Sequence, residues 1–125
     1  MFIQDLAHYL EENSIGTVGT NLFIGDFPAD IKEGMYLVTT SSPAPDTTFN
    51  WEDEYIDFYS LYCNDTGGYD ILLAVKNLLH QKKFYEVGNY LVCFSNDLGT
   101  INDLDKDSQN RKIYMLSIRF IRRIK

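Results

Sequence analysis

At 125 residues, with a formal net charge of -7, 45% apolar residues, nine Tyr and eight Phe, the chain has the length of one domain, 1–125, that can bury a core without disulfides or metals. The composition excludes global disorder, and the negative charge argues against a sequence-specific DNA or RNA binder, which needs cations to neutralise phosphates. No stretch approaches the ~18 apolar residues of a membrane span and the start lacks a signal-peptide pattern, so the expectation is a protein of the cytoplasm, or of something assembled there, with no membrane partner.

In chain order, Phe2, Ile3, Leu6, Tyr9 and Leu10 fall on one side at helical spacing, and Asn13-Ser14 before Gly16 ends that first helix. A short strand is predicted over residues 20–27, stopped by Pro28, and a second over residues 35–40 after Gly34. Ser41 to Asp46 carries Pro43 and Pro45 and reads as an extended loop. Glu54 to Cys63 is apolar on both alternating sets, which predicts a central strand covered on two sides, the second cover being a subunit interface.

Asn64-Asp65-Thr66 offers N-cap oxygens to a second helix, whose stripe is Ile71, Leu72, Val75, Leu78 and Leu79, with Lys82 and Lys83 complementing the dipole at its C-terminal end. Tyr90 to Phe94 and Ile113 to Ile121 then read as an antiparallel hairpin, the second strand alternating Tyr114, Leu116, Ile118 and Phe120 with Met115, Ser117 and Arg119. The hairpin loop, Ser95 to Lys112, is long enough to project as an arm or be held by a partner. The expected fold is α+β: a mostly antiparallel sheet of four to five strands, with both helices on one face and the order α-β-β-β-α-β-β.

Catalytic chemistry has few candidates. His8 and His80 lack the spacing of a zinc or hydrolase motif, and Cys63 and Cys93 sit in apolar runs that suit reduced, packed thiols. Gly67-Gly68 before the second helix could cradle a phosphate, but Asp65 and Asp70 flank it. Asp103, Asp105 and Asp107 resemble the start of a calcium loop, yet Ser108 stands where the turn wants Gly and Tyr114 where a bidentate Glu is required. Glu52, Asp53, Glu54 and Asp57 read as a solvated or interface face. Arg119, Arg122, Arg123 and Lys125 form the positive cluster, either a solubilising strand end or a docking patch for an acidic surface. No enzyme, cofactor or metal site is expected.

Three segments resemble the tail terminator family of long-tailed bacteriophages. Asn21-Leu22-Phe23-Ile24-Gly25-Asp26-Phe27-Pro28 followed by Tyr36-Leu37-Val38 is similar to the family's strand pair. Ser42-Pro43-Ala44-Pro45-Asp46-Thr47 resembles its proline loop. Leu104, Asp107 and Arg111 leading into Tyr114, Ile118 and Phe120 resemble its closing loop and strand. Gly67-Gly68 depart from the family's helix start.

The resemblance implies a subunit of a hexameric ring that caps the tail tube at full length and then meets the head-completion connector, at the head-proximal end of the virion tail. Implied partners are further copies, the tail tube protein and the connector, with DNA passing through unread. Candidate contact residues are Pro43, Pro45, Asp46 and Trp51; Asp103, Asp105, Asp107 and Arg111, on a loop that lines the channel or reaches the tube; and Arg119, Arg122 and Arg123. Rival readings are a head-tail connector or stopper protein, a small acidic enzyme or ligand- or calcium-binding module, and an inhibitor that mimics nucleic acid.

Overall fold

The computed structural model describes residues 1–41 and 51–125. Along these the elements are α1 (Phe2–Glu12), β1 (Leu22–Ile24), β2 (Gly34–Ser41), β3 (Glu52–Tyr62), α2 (Gly67–Leu79), β4 (Lys82–Val87), β5 (Tyr90–Asp97), β6 (Asn102–Lys106) and β7 (Lys112–Ile124). The strands form one sheet in the order β1-β2-β3-β7-β5-β4, with β6 beside β7. β1 and β2 run parallel and the other pairs antiparallel. The α+β expectation holds, with seven strands in place of four to five.

Both helices cover the same side. α1 buries Phe2, Ile3, Leu6, Ala7 and Leu10, and α2 buries Leu72, Val75 and Leu79. They meet Met35 and Leu37 of β2, Ile56 and Phe58 of β3, Val92 of β5, and Leu116, Ile118 and Phe120 of β7 in one apolar core. Each such side chain, fully removed from water, contributes about 1.5–3 kcal/mol before chain entropy is counted. The Phe2 ring stands edge-on to Phe120 at 5.2 Å and to Tyr90 at 5.3 Å, which locks the start of α1 over the end of β7.

β3 is central, as its composition predicts, lying between β2 and β7. Among the described residues no helix covers its second face. Tyr55, Asp57 and Tyr59 there are half-buried by their own neighbours: Tyr59 stacks on Tyr36 of β2 at 4.9 Å, and Tyr36 meets Phe27, which meets Phe23. The aromatic second face is therefore partly covered from within the chain.

Two boundaries differ from the sequence expectation. α2 stops at Leu79, His80 takes an extended backbone and Gln81 a positive φ of 57°, so Lys82 and Lys83 belong to β4 and not to the helix end. A two-residue turn, Gly88-Asn89, then returns the chain to β5; Gly88 holds φ 56°, and a Cβ there would collide with the Asp5 carboxyl of α1. The long loop is likewise half strand. β5 runs to Asp97, Leu98 N–H donates to the Ser117 carbonyl at 2.9 Å, and β6 takes up pairing with β7 from Asn102. Pairing with β7 overrides the poor strand propensity of the aspartates and leaves two exposed stretches outside the strands, Leu98 to Thr100 and the tip around Ser108 to Asn110.

The start of α2 is capped from two residues before Thr66. Asn64 Oδ1 accepts from the Gly67 and Thr66 amides at 2.5 and 3.1 Å, while the Thr66 side chain makes no cap bond. Gly68 lets the helix press on the sheet, since its carbonyl accepts from the buried Ser60 hydroxyl at 3.0 Å and an added Cβ would stand 2.6 Å from that hydroxyl. Gly67-Gly68 thus serve close helix-to-strand approach, with no need of a phosphate.

Candidate functional site

The β3–β7 register brings together two charge clusters that are far apart in sequence. Glu52 lies opposite Arg122, and Tyr55 opposite Arg119. Arg122 donates from Nε to Glu54 Oε1 at 2.9 Å and from its second arm to Glu52 at 3.1 Å, and Thr39 donates to the other Glu54 oxygen at 2.9 Å. Glu54 is only 6% exposed. The Arg122 guanidinium also lies over the Phe2 and Tyr90 rings, at 5.2 and 4.9 Å. A cleft of about 250 Å³ beside it is walled by Met1, Phe2, Ile3, Thr39, Glu54, Tyr90 and Arg122, and its charges already neutralise one another.

On the opposite face Arg119 pairs with Asp53 at 2.8 Å, and the hydrogen bond it donates to Asp53 holds the guanidinium above its usual pKa. Arg123 rests over the Trp51 ring at 5.2 Å. The C-terminal arginines are therefore held within the chain: Arg119 and Arg122 by carboxylates of β3, Arg123 by an aromatic face. Pro43, Pro45 and Asp46 lie outside the described residues.

The acidic hairpin is equally self-contained. Asp103 pairs with Lys112 at 2.8 Å, and its other oxygen accepts from the Asp105 amide at 2.8 Å. Asp105, at φ 70°, accepts from the Lys106 amide at 3.0 Å. Asp107 closes the tip by accepting from the Gln109 and Arg111 amides, each at 2.9 Å. Arg111 is 8% exposed: it donates to Asp107 Oδ2 at 2.8 Å and to the Ile31 carbonyl at 2.7 Å, with the Phe27 ring under its guanidinium at 5.3 Å. Among the described residues no group of three or more His, Cys, Asp and Glu side chains is placed to hold a metal ion.

His80 accepts the Asp97 amide at Nδ1 across 3.2 Å, and Lys76 reaches the Asp97 carboxylate at 3.3 Å, so these groups fasten the end of α2 to β5. Cys63 and Cys93 are free thiols, but they are not the packed, buried residues their apolar runs suggest: Cys63 is exposed and Cys93 half-buried, at positions outside the core. Among the described residues no helix is long and apolar enough to cross a membrane.

What sequence reasoning missed is the β4 edge. Lys83 is exposed there and Phe84 is 70% exposed at φ 50°, on a terminal strand of the sheet. The signal was present: Phe84-Tyr85-Glu86-Val87 before Gly88-Asn89 is a strand leading into a two-residue turn.

The fold is that of an α+β protein: an open sheet with both helices on one face, whose β7 arginines are paired within the chain. The chain matches the family described as bacteriophage tail terminator protein over residues 9–124, nearly its whole length, and it belongs to that family. It is thereby a structural component of the phage tail, and hence of the virion. No individual curated protein matches the sequence.

Proposed function

We propose that the chain acts as a single domain, without catalysis, as a subunit of a ring that seats on the tail tube when the tube reaches full length, stops its polymerisation and offers the opposite surface to the head-completion connector. The observation that carries this reading is the family match across residues 9–124. The internal pairing of Arg111, Arg119 and Arg122 supports it too, because a subunit that must hold its shape against a polymerising tube gains from strands stapled at both ends of β7. A net charge of -7 suits a ring around DNA, since repulsion keeps the polymer from sticking as it passes. The assembly is a hexamer at the head-proximal end of the tail.

The test is tube length. Tails are produced in cells making the other structural proteins, with and without this chain, and measured by electron microscopy. Tubes that overrun without the chain and fail to join heads support the reading. Tubes of normal length that still fail to join move the protein to the connector class, and fully joined particles remove it from tail completion.

A further inference from the structure

The side of the sheet away from the helices carries, at the middle of β3, a carboxylate that the chain does not neutralise. Of the four carboxylates of β3, Glu52 and Glu54 pair with Arg122 and Asp53 with Arg119, whereas Asp57 forms no ion pair among the described residues. Residues 42–50 contain no Lys, Arg or His that could supply one. Asp57 is half-buried, opposite Val38 of β2 and Ser117 of β7. One of its oxygens accepts from the Ser117 hydroxyl at 2.5 Å and the other from the Tyr59 hydroxyl at 3.4 Å. A carboxylate has about four lone-pair sites, so each oxygen keeps room for a further donor. Burial first, and then the Asp57 charge, hold the Tyr59 phenol above its ordinary 10.0, as a negative charge without a counter-ion does.

Twice elsewhere the chain completes a carboxylate beside aromatic rings with an arginine. Arg122 pairs with Glu54 while lying over Phe2 and Tyr90, and Arg111 pairs with Asp107 while lying over Phe27. Asp57 has the same surroundings without an arginine of its own chain: Tyr59 stacks on Tyr36 at 4.9 Å, and Tyr55 and Met115 are half-buried on the same face. Beside Ser117 a cleft of about 360 Å³ is walled by Leu98, Gly99, Thr100 and Asn102 where β5 gives way to β6, and Leu98 is 52% exposed there.

Charge and rings together select the occupant. A carboxylate repels nucleic acid, and a second copy stacked on this face about a two-fold axis adds another unmatched carboxylate to the contact rather than a cation. A guanidinium answers both features, since its planar fork donates to a carboxylate while its face lies on an aromatic ring. We infer that the helix-free face of the sheet is a docking surface for another protein of the tail, which lays an arginine on Asp57 beside Tyr59 and the Ser117 cleft. The inference rests on the tail role proposed above and adds the surface by which the chain is held there.

The test uses the full chain in phage that carry it. Asp57→Asn keeps the shape and an acceptor for Ser117 but removes the charge, and Asp57→Arg reverses it. Asp57→Asn is expected to melt no lower than the wild type, because no ion pair within the chain is lost. The amount of chain recovered with purified tails is expected to fall by more than about tenfold in either variant, as it does when one partner of a desolvated charge pair is removed. In hydroxyl-radical footprinting, Tyr55, Tyr59 and Met115 react in the free wild-type chain and are protected in tails. Second-site revertants of Asp57→Arg exchange an arginine for an acidic residue in another tail protein.

Tails that hold both variants as they hold the wild type overturn the contact, as do side chains equally reactive in tails and in the free chain. Revertants that fall within this chain, or a purified chain that associates with itself in sedimentation only while Asp57 is present, assign the face to a second copy and overturn it as well. Tubes that overrun without the chain but stop normally with Asp57→Arg overturn the docking residue and leave the tube-capping role standing. Purified tails from which the wild-type chain is absent overturn both.

Discussion

Asp107 and Arg111 close the β6–β7 hairpin from opposite sides of its tip: one carboxylate oxygen takes the Arg111 amide at 2.9 Å and the other takes the Arg111 side-chain Nε–H at 2.8 Å. The remaining arm of the guanidinium leaves the hairpin for the Ile31 carbonyl, so one residue joins the tip to the segment between β1 and β2.

Arg111→Ala removes that joint and leaves a half-buried carboxylate and a carbonyl without their donor. The cost is expected to be on the order of 2–3 kcal/mol, below that of a fully buried pair because Asp107 keeps some contact with water. Arg111→Lys recovers little, since one ammonium cannot span both acceptors and the Phe27 face with fork geometry. Urea denaturation midpoints for the three proteins check this; an alanine variant as stable as the wild type contradicts the clamp.

Acid should open the same tip. Burial acts to raise the Asp107 carboxyl, but the Arg111 amide and guanidinium and the Gln109 amide outweigh it and hold the group below its ordinary 3.8. Asp103 is also lowered, chiefly by its hydrogen bond from Lys112. A carboxyl depressed in the folded state lends stability that is whole above the unfolded pKa and is lost as pH falls through the folded one. The Arg111 Nε–H signal in NMR is therefore expected to persist at neutral pH and to vanish only as the pH falls below the ordinary 3.8 of an aspartate carboxyl. Asp107→Asn removes this acid step, and a signal unchanged down to the acid unfolding of the whole chain speaks against it.

The central strand was legible because Glu54 to Cys63 is apolar on both faces, and the helices because Leu6, Leu10, Leu72 and Val75 keep helical spacing. β6 was not, since Asp103, Leu104 and Asp105 carry low strand propensity and are strand only by pairing with β7. β4 was hidden behind Lys82 and Lys83, which read as a helix end when the chain in fact turns at Gln81. The same misplacement hid the charged edge. The arginines of β7 were legible as a cluster, yet their carboxylate partners on β3 depend on a register that no local pattern states. Asp107 and Arg111, four apart and flanking a turn, were visible as a pair of sites but not as a clamp on Ile31.

Gly68→Ala should destabilise the protein, although alanine favours a helix over glycine by about 1 kcal/mol. The new Cβ stands 2.6 Å from Ser60 Oγ and 3.2 Å from Tyr114 Cδ2, and Ser60 is fully buried with its hydroxyl committed to the Gly68 carbonyl. Overpacking at such a site costs about 1–3 kcal/mol. Ser60→Ala vacates the hydroxyl, so in the double variant the loss is expected to be smaller than the sum of the two single losses. Additive losses in a thermal-denaturation cycle contradict a steric coupling.

The end of α2 supplies the last case. Ser95 Oγ donates to the Leu79 carbonyl at 2.6 Å and accepts from the Tyr85 hydroxyl at 2.6 Å, with both side chains buried. Ser95→Ala strands an acceptor and a donor together, at a cost of about 2–3 kcal/mol, whereas Tyr85→Phe removes the outer donor and leaves Ser95 bonded to Leu79, at about 1 kcal/mol or less. Burial is also the main cause that pushes the Tyr85 phenol far above its ordinary 10.0. A group that gives up its proton less readily when folded stabilises fully below the unfolded pKa and ceases to do so as pH rises through the folded one. Ultraviolet titration should therefore show one tyrosine ionising only as the chain unfolds in alkali, and Tyr85→Phe should remove that step. Equal stability losses in the two variants, or a Tyr85 that titrates with the exposed tyrosines, contradict a sealed hydroxyl chain at the helix end.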